Sequence, residues 1–419
     1  MTTVRLRHLA QVNPLTLAFD RLSDEDELTF LPMEAVWPGS RLDITRRRTK
    51  ASVATGYTRF QDGDVLVPKI TPTFEAGRAV LIGGLLGGVG AGTTELHVVR
   101  PGPYIDPGFL LYVVNTHGFL KLGEAEMYGV AGQQRVPDSF LRDLPVELPP
   151  LEAQRRIADF LDVETARIDR LVALQVTLRA KIDERDKALR DNLVNELAKT
   201  VGEVPLRRFT TRIEQGASPQ CEAVPRQGDD EWGVLKLSAV KGGRFVPFEN
   251  KRLPEGTEAI SAYQVRRGDL LVTRANTPSL VGDVAVVEGN HHKLLLPDLI
   301  YRVGLVPEMN ADFVAQVALS GRVRTLIESV ARGSSQSMVK LRGEDIKTWP
   351  MPMATQTQQT TLVQKIQSGM QGTGRLRTTV ARQLSLLAER RQALITAAVT
   401  GQFDVSTASG RNVTDGVSA

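Results

Sequence analysis

Two stretches of the chain carry a helical rhythm longer than anything around them. In the first, Leu161, Ile168, Gln175, Ile182 and Leu189 recur every seven residues, with Leu171 and Leu178 three places after Ile168 and Gln175. In the second, Ile366, Thr373, Val380, Leu387 and Leu394 repeat that spacing, and Leu376 takes the matching intermediate place. Seven-residue recurrence with a three-four alternation predicts the seam of a coiled coil. Each run begins just after a proline cluster, "LPVELPPLEAQ" or "WPMPMATQTQQ", and then continues without proline, as a helix start requires. Burying one Leu or Ile contributes about 1.5 to 3 kcal/mol gross, so roughly eight seam residues per helix outweigh an amide or a hydroxyl in the seam. Gln175 and Thr373 are therefore tolerated.

Ahead of each run the periodicity changes. Short β-branched stretches such as Asp64 to Ile70 and Asp269 to Arg274, punctuated by Gly-Asp turns and prolines, predict strands. The two halves also echo each other. "ERDKALRDNL" begins at Glu184 and "ERRQALITAA" at Glu389, and 389 minus 184 is 205. The same offset of 205 sets "GDVLVPK" at Gly63 on "GDLLVTR" at Gly268, "GRAVLI" at Gly77 on "GDVAVV" at Gly282, and Gln154 on Gln359. Nearer the start, "VRLRHL" at Val4 matches "VPLRRF" at Val204 at an offset of 200, a drift that insertions explain. A fixed offset of this kind is the mark of an internal repeat.

The fold class expected is α+β: two mixed, sheet-rich domains separated by two long helices that form an antiparallel coiled coil, related as a pseudo-two-fold duplication. The boundaries expected are 1–149 and 200–354 for the globular domains and 150–199 and 355–401 for the helical segments. Residues 402–419 follow Gly401, a helix terminator, and turn polar and small, so a flexible tail is expected there. A helix of about 45 residues spans about 68 Å, which makes the first one a ruler between the globular parts.

Composition narrows the function classes. At 419 residues, 42% hydrophobic and 24% charged, the chain is globular and long enough for more than one core. Its 52 basic and 48 acidic residues leave a net charge of only +4, so nucleic acid is permitted as a partner without being demanded. Cys221 is the single cysteine, which excludes an intramolecular disulfide and a cysteine-rich zinc site and fits a reducing cytoplasm. The opening "MTTVRLRHLAQVN" lacks the apolar core of a signal peptide. "AVLIGGLLGGVGAGTT" from Ala79 is too short and glycine-rich for a membrane span. A cytoplasmic protein without membrane contact is expected.

Catalytic chemistry finds no support in the motifs. An adenine methyltransferase needs an Asn-Pro-Pro-Tyr/Phe loop, whereas the only Pro-Pro here, Pro149-Pro150, lies in "LPPL". "GGLLGGVGAG" from Gly83 lacks the lysine of a phosphate-binding loop and reads as a flexible hairpin. His291 and His292 have no cysteine or acidic partner at ligand spacing, so no metal site is expected. There is no Gly-x-Ser-x-Gly elbow. A nuclease would have to draw on Pro297-Asp298 and Asp345-Ile346-Lys347, which lie far apart.

Two similar but unequal globular parts on a rigid spacer suit duplex DNA, whose half-sites one turn apart lie about 34 to 36 Å from each other. At this point the phrases "PKITPTFEAGRAVLI", "GTTELHVVRPG", "GQQRVPDSFLRDLPVELPPLEAQRRIADFLDVETARIDRL" and "RRQALITAAVTGQFDV" matter together. In that order, from Val4 to Val405, the chain resembles the specificity subunit of Type I restriction-modification systems. In the second copy, "MPMATQTQQTTL" departs from the more usual Pro-Pro-Leu and Glu-Gln wording. The resemblance implies two target-recognition domains, each reading half of a split double-stranded DNA site, and helical regions that act as spacer and as dock for methyltransferase subunits. It implies no active site and no cofactor on this chain. S-adenosylmethionine is expected on the methyltransferase partners, two in number, with restriction (endonuclease and translocase) subunits joining the full complex.

The DNA-contacting candidates are donors near turns. Arg46, Arg47 and Arg48 in "TRRRTK" are candidates for phosphate, and Lys69 and Arg78 for base or backbone; Arg274 and Asn276 occupy the corresponding region of the second copy. Before each helix lie the polar loops "GQQR", with Gln133, Gln134 and Arg135, and "GSSQSMVK", with Ser335, Gln336 and Lys340, whose Gln and Arg can make bidentate base contacts. Two other classes remain as alternatives: a self-contained DNA methyltransferase or nuclease with target-recognition repeats, and a coiled-coil scaffold without a DNA role.

Overall fold

The computed structural model describes residues 2–37, 41–130, 133–335 and 338–405. It divides into two compact units: Met1–Thr177 with Val380–Ala419 as unit 1, and Leu178–Thr379 as unit 2. The division cuts both long helices, Leu151–Val201 of 51 residues and Gln356–Val399 of 44. Each unit therefore owns a piece of both.

Unit 1 has an antiparallel sheet in the order Ala10–Val12, Leu96–Pro101, Val65–Pro68, Val80–Leu81. Its second sheet runs Arg47–Thr49, Glu27–Leu31, Val89–Gly92, Thr58–Gln61, with the middle pair parallel. The opening strand Thr2–Arg5 closes against Pro145–Leu148, just before the first long helix. The strands read as β-branched runs because their side chains fill the core from the sheet faces: Val65, Leu66 and Val67 are all buried. The glycine run from Gly83 is not the flexible hairpin its composition suggests. Its second half is the buried strand Val89–Gly92. The glycines are needed for close approach, since a Cβ on Gly90 would lie 2.3 Å from the Phe60 ring and one on Gly92 2.4 Å from the Leu31 carbonyl oxygen.

Unit 2 is built on the same plan. Its larger sheet runs Thr210–Gln215, Ile300–Leu305, Leu270–Thr273, Val284–Val286. A smaller one runs Asn250–Arg252, Gly233–Leu235, Leu294–Leu295, again with a parallel pair. Glu203–Pro205 closes against Pro350–Pro352. One buried glutamine near the start of each long helix makes the likeness atomic. In unit 1, Gln154 Oε1 accepts from the Asp106 N–H at 2.8 Å, and its Nε2 donates to the carbonyls of Tyr104 (3.1 Å) and Pro149 (2.9 Å). In unit 2, Gln359 Oε1 accepts from the Asn310 N–H at 2.8 Å, and its Nε2 donates to the carbonyls of Glu308 (3.1 Å) and Ala354 (2.9 Å). Asp106 and Asn310 in turn cap short helices, accepting from the N–H of Phe109 and Phe313. Each brace thus ties a long helix to the sheet domain that precedes it.

Within each unit the two helical pieces run antiparallel. In unit 1, Leu161 and Ile168 share a core with Leu394, Ile395 and Ala398, and Asp169 lies 3.5 Å from Arg391. In unit 2, Val194 shares a core with Leu362, Val363 and Ile366. There the Arg377 guanidinium reaches Asp183 and Asp186 at 2.7 Å each, and Thr373 Oγ1 donates to Asp186 at 2.9 Å. Further along, Gly369 sits so close to Leu189 that a Cβ would lie 2.5 Å from its Cδ2.

The seven-residue positions Leu161, Ile168, Ile182, Ile366, Val380 and Leu394 are buried, and Leu189 and Leu387 are half-buried. The intermediate positions predicted three places on are not in the seam: Leu171, Leu178 and Leu376 are 43%, 38% and 40% exposed. Residues four places on take their role, among them Thr165, Val172, Asp186, Met370, Arg377 and Leu384, all buried or half-buried. At about 100° of turn per residue, a seam centred between positions i and i+4 leaves i+3 about 80° off its axis. Polar residues fill several of those places, so apolarity alone selects the wrong phase. The tail expectation also changes in part. Phe403 stacks on Phe160 with ring centroids 5.6 Å apart, and Val405 packs against the unit 1 core, while residues 406–419 lie outside those described.

Candidate nucleic-acid interface

Both units build a loop platform where an inner strand of an antiparallel four-stranded sheet ends. In unit 1 the strand Val65–Pro68 runs into Lys69, whose carbonyl accepts from the Val136 N–H at 3.0 Å. Arg135 bridges to Ile70 and to Tyr128, and the Thr71 N–H donates to the Gln134 carbonyl at 3.0 Å. In unit 2 the Leu341 N–H donates to the Arg274 carbonyl at 2.8 Å, and the strand Met338–Lys340 lies between Ala275–Asn276 and Arg332–Ser335. Lys69 and Arg274 hold equivalent places, as do Val136 and Leu341, each pair 205 residues apart.

A side chain from the neighbouring strand braces each platform. His97 Nε2 is 3.0 Å from the Val136 carbonyl, and its Nδ1 is 3.1 Å from Asn13 Nδ2. Because Asn13 Oδ1 accepts from the Val98 N–H, its Nδ2 must be the donor, so Nδ1 accepts and Nε2–H donates to Val136. The imidazole is neutral: burial pushes its pKa down to about 4, against the opposing pull of the Val136 carbonyl. In unit 2 Tyr301 takes this place and donates its hydroxyl to the Leu341 carbonyl at 3.3 Å.

The sequence candidates fall into three places. Lys69, Gln134 and Arg135 come together on the unit 1 platform, with exposed Gln133 beside them. Lys69 is half-buried and donates to the Thr94 carbonyl at 2.9 Å; burial lowers its pKa, with the Glu95 charge acting in the opposite sense. Arg135 forks onto Glu95 through Nε (2.9 Å) and Nη2 (2.7 Å), and this pairing holds the Glu95 carboxyl below its ordinary range. Arg274, Asn276 and exposed Lys340 come together in unit 2, with the Ser335 backbone on the adjoining strand. Arg274 donates to the Asp298 carbonyl at 3.4 Å, and Asn276 Oδ1 accepts from the Thr277 N–H. Gln336 lies outside the described residues.

Arg46, Arg47 and Arg48 form a separate group at an edge of the second sheet of unit 1. Arg46 pairs with Glu34 at 2.9 Å, and Arg47 donates to Thr29 Oγ1 and to the Ile44 carbonyl. The Arg48 guanidinium carbon sits over the Phe30 ring, 4.0 Å from its centroid, and Arg48 donates to the Tyr57 hydroxyl at 3.0 Å. Arg78 is half-buried just after the turn that ends at Gly77, whose φ is +59°. Glu95, His97 and Tyr301 escape a reading from sequence, because each acts through a partner about 40 residues away. Exposed Tyr128 and Val130, beside "GQQR", escape it too.

The chemistry these groups offer is recognition: guanidinium and ammonium donors, amides and hydroxyls on braced loops. His97 is neutral with both ring nitrogens engaged, so it has no free position from which to act as a base. Among the described residues no group of three His, Cys, Asp or Glu is placed to hold a metal.

No family model matches the chain. It is 29% identical over 445 residues to the Type I restriction enzyme EcoEI specificity subunit of Escherichia coli, covering 84% of this chain and 74% of that protein. To the EcoAI specificity subunit of Escherichia coli it is 42% identical over 156 residues, 36% of this chain and 26% of that one. A solved chain from work on complex assembly and conformational transition of the type I R-M system aligns with a TM-score of 0.62 at 15% identity, covering 96% of this chain and 98% of that one. At that identity the likeness concerns the fold.

Proposed function

We propose, from the chain's membership of the specificity subunits of Type I restriction enzymes, that units 1 and 2 each read one half of a bipartite, asymmetric site on double-stranded DNA. As a specificity subunit it supplies DNA recognition and no catalysis of its own. The long helices set the spacer between the halves and dock the modification (methyltransferase) subunits, two in number. Those subunits carry S-adenosylmethionine, and restriction subunits join the complete assembly. The complex works in the cytoplasm; among the described residues no helix is long and apolar enough to cross a membrane.

One observation carries the reading. The braces of the two units match bond for bond, from Gln154 and Gln359, whereas the platforms differ in what they present. Unit 1 offers Gln133, Gln134 and the Arg135–Glu95 fork, and unit 2 offers Asn276, Met338 and Lys340. A repeated scaffold with unlike reading groups, which we attribute to tandem duplication, is what two unlike half-sites require. A self-contained methyltransferase would instead need the amino-group-binding loop that the sequence lacks.

Mapping methylated adenines in the host genome tests the proposal. A split motif with unequal halves and a fixed gap is expected, disappearing when this chain is deleted. An undivided or palindromic motif, or methylation unchanged by the deletion, would refute it.

A further inference from the structure

Strands of the larger sheet of unit 2 and the start of the helix Ala311–Ala318 line a cavity of about 440 Å³, a size that small ligands occupy. Unit 1 shows what that place accommodates. There Val65 pairs with Val99, and the next residue, Arg100, forks onto Asp64: Nε donates to Oδ1 at 2.7 Å and Nη2 to Oδ2 at 2.9 Å. In unit 2 Leu270, 205 places after Val65, pairs with Val303, so Gly304 stands where Arg100 does and Asp269 where Asp64 does. Both Gly304 and Asp269 line the cavity, and the Asp269 side chain is 20% exposed against 1% for Asp64.

Asp269 keeps the backbone half of this arrangement. The Arg266 N–H donates to its Oδ2 at 2.9 Å, as the Gln61 N–H does to Asp64 Oδ2 at 2.8 Å. No guanidinium fork answers it. Arg302 reaches Oδ2 only at 3.4 Å, being held by Glu214 and by the Gln264 and Ala262 carbonyls at 2.9 Å each, and Oδ1 accepts no hydrogen bond among the described residues. The charges also leave room for a cation. Arg212 and Arg302 share Glu214, whereas Asp312, at the far wall, has no ion pair among the described residues. Partial burial pushes the Asp312 carboxyl up, and the Glu288 charge adds to that. Val286, Val306 and Met309 supply an apolar wall. We propose that this cavity binds a guanidinium group on a short methylene stem, with the fork on Asp269 and the stem along the apolar wall. A planar fork matches both carboxylate oxygens at once, which a point-like ammonium does not.

The test titrates the full chain with agmatine, a guanidinium and an ammonium joined by a methylene chain. Agmatine should bind about tenfold more tightly than putrescine, which carries ammonium groups at both ends of the same stem; tenfold is the equivalent of one charge-assisted hydrogen bond. Asp269→Asn should weaken agmatine by a similar factor of about ten, and Asp312→Asn by about threefold, as for an exposed ion pair. The first variant keeps an acceptor for the Arg266 N–H, and the second alters an exposed residue in the first turn of its helix, which safeguards the fold. Bound agmatine should slow hydrogen exchange in the peptide that spans Gly268 and Asp269, and leave unchanged the peptide that spans Gly63 and Asp64, where Arg100 is already in place. Repeating the titration on the chain assembled with its methyltransferase partners separates the two sources of the group. Undiminished binding marks a free small molecule as the occupant, and lost binding marks an arginine of a partner subunit; either supports a guanidinium site. The proposal is overturned if the free chain fails to bind agmatine at millimolar concentration, if putrescine binds equally well, if Asp269→Asn changes nothing, or if the protected peptide lies elsewhere.

Discussion

Replacing Gln154 by Ala removes the amide that joins the first long helix to the sheet domain of unit 1. Gln154 is 1% exposed, so water cannot take over its three bonds. The Asp106 N–H is left as a buried orphan, costing about 1 to 3 kcal/mol, and the Tyr104 and Pro149 carbonyls each lose an acceptor bond. With the small cavity, the expected loss is about 3 kcal/mol. Gln359→Ala should cost unit 2 about the same, since its bonds have the same three lengths, 2.8, 3.1 and 2.9 Å, and Gln359 is 2% exposed. Hydrogen exchange read by peptide mass spectrometry separates the two. Gln154→Ala should speed exchange of the Asp106 amide on the order of 100-fold, the equivalent of about 3 kcal/mol, and leave the Asn310 amide unchanged; Gln359→Ala should do the reverse. Losses below about 1 kcal/mol, or exchange quickening in the wrong unit, would refute the claim that these glutamines are equivalent braces.

Acid should loosen unit 1 through His97. Its imidazole titrates near 6.5 unfolded and about 4 folded, so below 6.5 the unfolded chain takes up a proton that the folded chain refuses. Stability is therefore full above 6.5 and falls by about 3 kcal/mol as pH drops to about 4; urea midpoints measured against pH should show a shallower fall in His97→Gln, and equal slopes would contradict this. Arg377→Met removes the closer of the two guanidiniums paired with buried Asp186, leaving Arg185 at 3.3 Å, and should destabilise unit 2 by about 1 to 2 kcal/mol. The triple change Asp186→Leu, Thr373→Val, Arg377→Met should recover most of that in equilibrium urea unfolding, and a triple variant weaker than the single would argue against a costly buried charge. Four residues inserted into the first long helix near exposed Leu174 add about 6 Å of rise, which should lengthen the preferred DNA spacer by about two base pairs or abolish methylation. An unchanged spacer would count against the ruler.

The chain pattern exposed the architecture better than the surfaces that use it. Strand runs such as Val65–Pro68 and Leu270–Thr273 were legible because a buried strand must be apolar and β-branched whatever its partner. The offset between Gln154 and Gln359 was equally visible, since the same three backbone groups must be satisfied in both places. The phase of the helix seam was not. Asp186 and Arg377 satisfy each other inside it, with Thr373 bonded to the carboxylate, and a search for apolar residues passes over Asp186 and Arg377 in favour of exposed Leu178 and Leu376. The platforms were legible only as polar loops: that Glu95 takes the fork of Arg135, and that His97 and Tyr301 brace matching carbonyls, depends on contacts distant along the chain. Glycines misled where composition stood in for packing, as at Gly90 and Gly92.

The most direct measurement exchanges residues 207–349 for the corresponding segment of a relative with a different motif, keeps both long helices, and maps the methylated adenines. The account predicts a hybrid motif in which one half is replaced while the other half and the gap persist. A change in both halves, or in neither, would contradict it.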